Sequence, residues 1–294
     1  MAIALALLAV TLAPRIVPAE WRPQGPVFVA VFGAWAMAAL GVADDRAAVG
    51  AKAKLLLGAG IAVVVALLVP PVRAIPLWPG AALPLWAPVG VAGGVLWLVT
   101  ATNAVNFVDG ANGFAPGGLL IAFLALAVGA SPSDPQTAWL AALAAAAYLG
   151  FLPWNLAGRL FQGDAGSLFG GFLFAALHLA AVGRGALPLL FGPVVMLPWL
   201  TDVLLTLLRR ARGRRPLLEA HREHLYQRWL QATARAHLAL AWRNALVCAA
   251  AALAGLATVA AARWQAPIFL AVLAACVAGW TLTSRRLDAT LASI

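Results

Sequence analysis

Carboxylates are scarce in this chain of 294 residues, which has ten of them, and several lie at the edges of long apolar stretches. Asp44 and Asp45 stand side by side after the apolar run from Val27 to Val42. Adjacent carboxylates repel each other, and a bound cation or a proton relieves that repulsion. Mg²⁺ is usually held by one or two carboxylates plus substrate phosphates, so the pair fits a magnesium-diphosphate site. An ordinary polar helix end is the alternative.

Four polar residues recur every three positions where a later apolar stretch ends. They are Asn103, Asn106, Asp109 and Asn112. Gly110 and Gly113 break helical character there. If the first turns stay helical, this spacing keeps the polar groups roughly on one face, where contact with lipid would be costly. The stripe therefore predicts a polar site at a helix end, beyond what a capped loop alone requires.

The segment from Asn155 to Ser167 precedes another apolar span. Gly163, Gly166 and Ser167 would let backbone N–H groups approach an anion at a helix start, where the helix dipole favours a phosphate. The segment is not a Walker A loop, because no Gly-Lys-Ser/Thr follows. Asp164 is either a helix cap or a metal ligand, and the local sequence leaves both open.

A basic segment at residues 209–238 contains a His-Arg-Glu-His sequence. On a helix, His221 and His224 would share a face, with Arg228 four residues further on. A zinc site is weakly supported, because the His-Glu-x-x-His spacing is missing and no cysteine is near. Binding of a pyrophosphate by these side chains fits better. The alternative is a solvated basic loop that only sets topology.

The rest of the chain is suited to a membrane. It is 64% hydrophobic and 10% charged, with a mean hydropathy of +0.92, whereas soluble domains are about 25% charged. Apolar runs recur at about the length that crosses a ~30 Å hydrocarbon core as a helix. The sequence predicts ten spans, at residues 2–18, 26–43, 53–70, 84–102, 116–130, 137–154, 168–183, 186–208, 239–262 and 265–283.

The predicted fold class is therefore an all-α polytopic membrane protein, forming a single domain over residues 1–294. Strands of a barrel would alternate in polarity, whereas these runs are continuous and rich in Ala and Leu. The opening stretch lacks a basic n-region and a clear cleavage site, so it is interpreted as a span and not as a signal peptide. Cys248 and Cys276 fall inside spans and indicate neither a disulfide framework nor a zinc site.

Charge orients the predicted spans. With a cytoplasmic N-terminus, fifteen of the twenty basic residues face the cytoplasm, which is a strong positive-inside bias. The same assignment places all four polar segments on that face, so they are predicted to converge. The net charge of +10 then reflects topology and attraction for anionic lipid or phosphate. Nucleic acid is a poor explanation, because most of the excess lies beside the bilayer.

Asp202 and His178 are ionisable residues that lie well inside predicted spans. Asp202 is within about 10 Å of the cytoplasmic edge at 1.5 Å per residue, and a buried carboxylate there should face the bundle interior and have a partner. His178, near the middle of its span, is interpreted as a packed histidine. His237 is placed at the interface.

The four segments, in this order and on this face, resemble the polyprenyl-phosphate N-acetylhexosamine-1-phosphate transferase family. That family includes the peptidoglycan translocase and the initiators of O-antigen and enterobacterial common antigen. Asp44 and Asp45 match its paired aspartates, which are implicated in Mg²⁺ and phosphate chemistry. Asn103, Asn106 and Asp109 match its Asn-x-x-Asn-x-x-Asp-Gly loop.

The other two motifs follow in the family's order. Asn155, Phe161 and Asp164 match a motif running from Asn to Phe-Met-Gly-Asp-x-Gly-Ser, in which the Asp is a magnesium ligand and the aromatic lies near the nucleotide base. His221 and His224 match the histidine motif of the fifth cytoplasmic loop. The form Ala-His-Arg-Glu-His-Leu-Tyr-Gln-Arg resembles the O-antigen-initiating branch more than the triple-His form of the peptidoglycan enzymes.

One departure from the family lies at the N-terminus. Family members usually begin with another helix, and with a cytoplasmic loop containing Pro and Gly-Gly, before the span that corresponds to residues 2–18. The chain is therefore expected to lack the family's first helix, either through a late start site or as a shortened member. In relatives the missing loop contributes basic residues to the site.

The resemblance implies a Mg²⁺-dependent enzyme, with Mn²⁺ as a substitute, in the bacterial inner membrane. It would transfer a sugar-1-phosphate from a UDP-N-acetylhexosamine to undecaprenyl phosphate on the cytoplasmic face, releasing UMP and initiating synthesis of O-antigen or a related glycan. By the same carry-over, the metal ligands are Asp164 and Asp45; the catalytic residues are Asp44, Asp45, Asp109, His221 and His224; the substrate-binding residues are Asn103, Asn106, Asn155, Phe161 and Arg228.

Several alternatives stay open. The first is the phospho-N-acetylmuramoyl-pentapeptide transferase of peptidoglycan synthesis. A transporter or lipid flippase would carry ionisable groups near the bilayer midplane and paired repeats, whereas these acids cluster at one surface. A direct displacement is the simplest mechanism, but a covalent aspartyl intermediate is not ruled out by sequence. Neither the sugar nor a homodimer can be read from the loops.

Overall fold

The computed structural model describes residues 22–47, 49–217, 219, 221–233 and 236–292. Eight of the helices in these ranges are long and apolar enough to cross a membrane. The predicted all-α polytopic membrane fold is thereby confirmed. The predicted span at residues 2–18 lies outside the described residues.

Ten α-helices and one short hairpin follow each other along the described chain. They are α1 (Gly25–Ala47), α2 (Ala51–Leu68), β1 (Ala74–Trp78), β2 (Ala81–Pro84), α3 (Ala87–Val108), α4 (Phe114–Ala130), α5 (Pro135–Leu156), α6 (Gly163–Gly183), α7 (Phe191–Arg212), α8 (Leu225–Ala232), α9 (His237–Ala260) and, after a 3-10 turn at Ala262–Trp264, α10 (Gln265–Ala292).

Nine predicted spans coincide with helices, but two helix ends differ in a way that matters. Helix α3 continues beyond the predicted end of its span at residue 102 to Val108, and α6 begins at Gly163, before the predicted start at residue 168. Asn103, Asn106 and Asp164 therefore lie on helices. A side chain on a helix is held more rigidly than one in a loop, which suits residues that must meet across the bundle.

Helix α6 lies at the centre of the bundle, and nearly all of its residues from Ala165 to Ala181 are buried. Small residues bring its neighbours close. A Cβ added to Gly41 of α1 would lie 2.5 Å from the backbone of Ala165, and one on Gly171 would lie 3.0 Å from the backbone of Thr102 in α3. Close approach at small residues is typical of membrane helices. This packing brings the ends of α1 and α3 to the start of α6.

The hairpin was not predicted. Strands β1 and β2 pair antiparallel, with Ile75 opposite Leu83, and the turn uses Gly80 at a φ of +84°. Prolines recur through this stretch, and they exclude a helix by removing N–H donors. Both strands are largely exposed. The hairpin lies at the opposite ends of the membrane helices from the predicted site residues.

The isolated polar residues behave largely as predicted. His178 is buried, and its Nε2 accepts the backbone N–H of Gly192 at 3.1 Å. Cys248 is buried and Cys276 is half-buried, and both are free thiols. Asp202 faces the interior of the bundle and has several partners, among them the Leu225 backbone N–H and the Trp280 indole.

Candidate active site

Two carboxylates share one ammonium group at the end of the bundle where α1, α2 and α6 meet. Lys54, in the first turn of α2, donates to Asp44 at 2.8 Å and also forms an ion pair with Asp164. These three side chains are mostly buried, with exposures of 15% for Asp44, 23% for Lys54 and 26% for Asp164. A positive charge between two carboxylates relieves their repulsion.

The stripe on α3 supplies the next partner of this cluster. The Asn106 amide donates to Asp164 Oδ1 at 3.0 Å and to the Ser167 hydroxyl at 2.9 Å. Asn103, one turn earlier, donates to its own helix at Val99. Asn106 therefore holds one oxygen of the Asp164 carboxylate, and Lys54 holds the other. We call Asp44, Lys54, Asn106 and Asp164 the carboxylate cluster.

Asp45 has a different position from its neighbour. Its two oxygens accept the backbone N–H groups of Asp164 at 3.0 Å and Ala165 at 3.1 Å. These are unpaired donors of the first turn of α6, whose own N-cap residue, Gln162, makes no capping bond. The sequence predicted a phosphate at this helix start. The structure places the protein's own carboxylate there.

Asp109, the residue that follows α3, lies close to Asp164 of this cluster and to Asp45. Burial raises its pKa well above the usual value, nearby Asp164 and Asp45 raise it further, and a hydrogen bond from Gln162 opposes them. A carboxyl group whose pKa is raised in a polar site is a candidate for handling a proton. The predicted convergence of Asp45, Asp109 and Asp164 on one side of the bundle is confirmed.

Residues 221–228, called here the histidine segment, pack on the end of α3 through Tyr226. The Tyr226 hydroxyl donates to the backbone carbonyl of Phe107 at 3.0 Å, and its ring stacks on Phe114 with centroids 4.9 Å apart. Burial raises the Tyr226 pKa, so the phenol keeps its proton and remains a donor. Gly110 permits the approach, because a Cβ there would lie 2.3 Å from the Tyr226 oxygen.

The prediction that His221 and His224 share a helical face is wrong, because α8 begins only at Leu225. Their rings nevertheless lie 4.9 Å apart, and the His224 ring stacks on Phe107 at 5.7 Å. Burial, together with nearby His221 and Arg210, lowers the pKa of His224 to about 4. Burial and Arg210 also lower the pKa of His221. With its pKa near 4, His224 is neutral at pH 7.

Several arginines of the basic segment form ion pairs with acidic residues of the protein itself. Arg210 and Arg215 both pair with Glu223, the latter at 2.8 Å. Arg228, predicted to bind substrate, is 5% exposed and donates to Asp288 at 2.6 Å and to the Ser284 hydroxyl at 2.8 Å. The structure therefore does not bring Arg228 to the carboxylate cluster. It ties α8 to the last helix.

Asn155 and Phe161, the remaining residues of the third motif, differ in their exposure to solvent. Asn155 is 3% exposed; it accepts the Gly113 N–H at 2.6 Å and donates to the Leu160 carbonyl at 2.8 Å. It thus connects two loops with both ends of its amide. Phe161 is 72% exposed. An exposed aromatic ring remains available for stacking on a ligand.

A cavity of about 390 Å³ joins the carboxylate cluster to the histidine segment. Its polar lining comes from α2, α3 and the histidine segment. These residues include Lys54, Asn103, Asn106, Asp109, His221 and His224. Clefts of about 300–1,000 Å³ with a few convergent polar groups are typical of small-molecule sites.

A sequence model of glycosyl transferase family 4 matches residues 27–182. This range is more than half of the chain and includes the carboxylate cluster, Asp45 and Asp109. The chain belongs to glycosyl transferase family 4. The histidine segment lies beyond the matched range, so its contacts with α3 are an independent reason to include it in the site of this family 4 protein.

Individual relatives agree with the family. A Bacillus subtilis protein named as a probable undecaprenyl-phosphate N-acetylglucosaminyl 1-phosphate transferase is 29% identical over 204 residues, 67% of this chain and 56% of the relative. A Mycobacterium tuberculosis decaprenyl-phosphate N-acetylglucosaminephosphotransferase is 34% identical over 156 residues, 45% and 39% of the two chains. A Synechococcus phospho-N-acetylmuramoyl-pentapeptide-transferase is 41% identical over 99 residues, 33% and 28%. The family 4 chain spans about half the length of the first relative and less of the others.

Lys54 and Tyr226 are site residues that the sequence motifs do not identify. For Lys54, one signal was available. The chain has eighteen arginines but two lysines, both at the start of α2, and an ionisable residue inside a span is a candidate functional residue. Tyr226 gave no such signal, since its role depends on the tertiary approach of Gly110.

Proposed function

We propose that this family 4 chain transfers an N-acetylhexosamine-1-phosphate from a UDP-sugar to undecaprenyl phosphate and releases UMP. The observation that carries the proposal is the carboxylate cluster, in which two carboxylates share a cation beside a polar cavity. An oxygen of the lipid phosphate would attack the sugar-linked phosphorus. A new P–O bond would form there as the bond to UMP breaks.

Asp44 and Asp164 would hold Mg²⁺, or Mn²⁺ in its place. They fit the ion because the place between them already attracts a cation, the Lys54 ammonium. Among the described residues, no group of three or more His, Cys, Asp or Glu side chains could hold a metal by itself. Two carboxylates suffice for Mg²⁺ where substrate phosphates supply further ligands. When bound, the ion neutralises charge on the diphosphate.

This pairing differs from the one that the sequence suggested, Asp164 with Asp45. Both oxygens of Asp45 accept backbone N–H groups, so its role in the proposal is to fix the start of α6. The Lys54 ammonium would leave the place between the two carboxylates when the ion binds and would add positive charge for phosphate oxygens, while Asn106 orients Asp164. Phosphoryl transfer depends chiefly on such positioning and charge neutralisation.

His221 and His224 line the same cavity, but as uncharged side chains. A neutral imidazole offers one donor and one acceptor nitrogen and carries no charge. Because burial lowers the pKa of both rings, they would make hydrogen bonds to the substrate instead of adding positive charge. Asp109, with its raised pKa, is the proposed residue for proton transfer in the cavity.

The names of the relatives support an N-acetylglucosamine-type donor. The matches to the two N-acetylglucosamine phosphotransferases extend over 204 and 156 residues, against 99 for the muramoyl-pentapeptide enzyme. The positive-inside bias supports a site on the cytoplasmic face of the bacterial inner membrane. The histidine motif supports the initiation of O-antigen or a related glycan.

The test is release of UMP by the purified chain in detergent. Undecaprenyl phosphate, Mg²⁺ and one of a panel of UDP-N-acetylhexosamines are supplied, with and without EDTA. We expect UMP that requires the lipid, the metal and one preferred sugar. UMP release that persists without the lipid acceptor, or none with any sugar, would overturn the proposal.

A further inference from the structure

A buried amide lies inside α9, outside the carboxylate cluster. Asn244 is 7% exposed, and α9 is long and apolar enough to cross a membrane. At 1.5 Å per residue, Asn244 lies about 10 Å from the start of this helix. Polar side chains at such a depth are costly, and they normally hydrogen-bond to another helix or have a function. The partners of this amide therefore show what it holds.

The two partners of the amide fix its orientation. Its Oδ1 accepts the indole N–H of Trp199, in α7, at 3.0 Å. Its NH₂ group donates to the backbone carbonyl of Phe114, the first residue of α4, at 2.7 Å. An indole N–H only donates and a carbonyl only accepts, so the amide satisfies both partners in one orientation. Asn244 therefore connects three helices at the start of α4.

Two further contacts place the same face of α9 against the loop that precedes α4. Residues three and four apart are neighbours on a helix, so His237 and Ala241 share the face of that amide. Nδ1 of His237 accepts the backbone N–H of Asn112 at 3.3 Å. A Cβ on Gly113 would lie 3.0 Å from the Cβ of Ala241. One face of α9 thus holds the end of the loop at residues 109–113.

This loop carries two groups of the candidate site. Its first residue is Asp109, the proposed residue for proton transfer, and Gly110 lies against the Tyr226 hydroxyl. The ring of Phe114, whose carbonyl Asn244 holds, stacks on Tyr226 with centroids 4.9 Å apart. A shift of Phe114 would therefore move both Asp109 and the histidine segment relative to the carboxylate cluster.

We propose that Asn244 is a positioning residue that fixes the loop of residues 109–113 through the carbonyl of Phe114. Asn244 is not one of the described residues that line the cavity, so it acts on the reaction through the residues that it holds. This deepens, and rests on, the proposed function, in which Asp109 transfers a proton in that cavity. Helix α9 lies beyond the range that the family model matches, residues 27–182.

Hydrogen–deuterium exchange measures the loop without any assay of activity. The full chain in detergent is labelled and digested, and its peptides are weighed by mass spectrometry. Asn244→Leu keeps a side chain of similar size but leaves the Phe114 carbonyl without its amide donor. We expect faster exchange in peptides that cover residues 107–115, with exchange in the central helix α6 unchanged. Wild-type exchange in the loop, or an equal increase in every helix, would overturn the proposal.

Two other variants complete the exchange experiment. Asn244→Ala removes the same hydrogen bonds with a smaller side chain, so it replaces Asn244→Leu if that protein does not fold, with the same expected result. Thr258→Val is the matched control on α9. Its hydroxyl is buried and donates to the Gly255 carbonyl of the same helix, so exchange in the loop should match the wild type. A loop that exchanges as fast in T258V as in N244L would overturn the proposal.

Kinetics distinguish positioning from a merely structural role. Misplacement of a catalytic group by about 1 Å can cost 10²-fold, so we expect N244L to lower kcat for UMP release by about 10- to 100-fold. KM for the UDP-sugar should change little, because every residue that lines the cavity is still present. An unchanged kcat, or a rise in KM alone, would overturn the proposal. If the wild type releases no UMP, the proposed function fails, while the exchange measurement still decides whether Asn244 holds the loop.

Discussion

The side chain of Asp45 caps the helix that carries Asp164: its Oδ1 accepts the Asp164 backbone N–H at 3.0 Å. Two adjacent aspartates therefore have different tasks. Asp44 faces the Asp164 carboxylate across Lys54, whereas Asp45 holds the backbone beneath it. The proposed metal site is positioned by a contact between the end of α1 and the start of α6.

Removing this cap should cost stability. For Asp45→Ala we expect a loss of about 0.5–2 kcal/mol, the usual range for a lost N-terminal cap. Each kcal/mol lowers Tm by about 2–4 °C in proteins of 150–250 residues. Thermal unfolding in detergent measures the change. Asp44→Asn is the matched control, since it leaves both hydrogen bonds from the α6 backbone to Asp45 intact. An equal drop in Tm in that variant would show that the Asp45 cap does not account for the loss of stability.

Lys54 should be needed for turnover. Lys54→Met leaves Asp44 and Asp164 without their shared cation and removes a positive charge from the cavity. Loss of a group that stabilises transition-state charge costs about 10²–10³-fold in kcat, and we expect a drop of that size in UMP release. The control is Lys52→Met on the same helix, because Lys52 is exposed and should be dispensable. Similar activities in the two variants would contradict the role of Lys54.

Docking of the histidine segment should depend on the absence of a side chain at residue 110. Gly110→Ala places a methyl group 2.3 Å from the Tyr226 oxygen and should displace the segment. Misplacement of a catalytic group by about 1 Å can cost 10²-fold, so we expect UMP release to fall by about that factor. Gly93→Ala, on α3 with open space around it, should leave activity unchanged. If G110A also behaves like the wild type, Tyr226 does not position the site.

The pKa of His224 makes stability depend on pH. Its value of about 4 lies below the ordinary 6.5, so the folded protein binds fewer protons than the unfolded chain between these values. Stability should therefore fall as the pH drops from about 6.5 toward 4, by ~3 kcal/mol in all at 1.36 kcal/mol per unit. Thermal unfolding across this range, compared with His224→Gln, isolates the effect. Parallel curves for the two proteins would show that His224 does not titrate in this way.

Hydropathy predicted the membrane helices well because a span must be apolar along its whole length. It could not place their ends, since α3 and α6 extend into polar residues that are satisfied by each other. Asn106 and Asp164 lie on two such extensions. The hairpin does not follow from hydropathy, because the prolines between α2 and α3 exclude a helix without indicating a strand pair.

The motifs identified most of the residues around the cavity, but they did not predict which contact each residue makes. Asp44 and Asp45 are indistinguishable in sequence, and only the packing of Gly41 on Ala165 determines which of them reaches the backbone of α6. Arg228 matches a motif, yet its partners lie sixty residues away near the end of α10. Such long-range contacts cannot be read from local spacing.

Asp164 provides the most direct test of the central claim, which is that the carboxylate cluster performs metal-dependent phosphoryl transfer. Asp164→Asn keeps the shape of the side chain and the backbone bonds to Asp45 but removes the charge. UMP release from the preferred UDP-sugar in the presence of undecaprenyl phosphate and Mg²⁺ should fall by at least about 10²-fold, while Tm stays close to that of the wild type. Full activity in a folded D164N protein would contradict the claim.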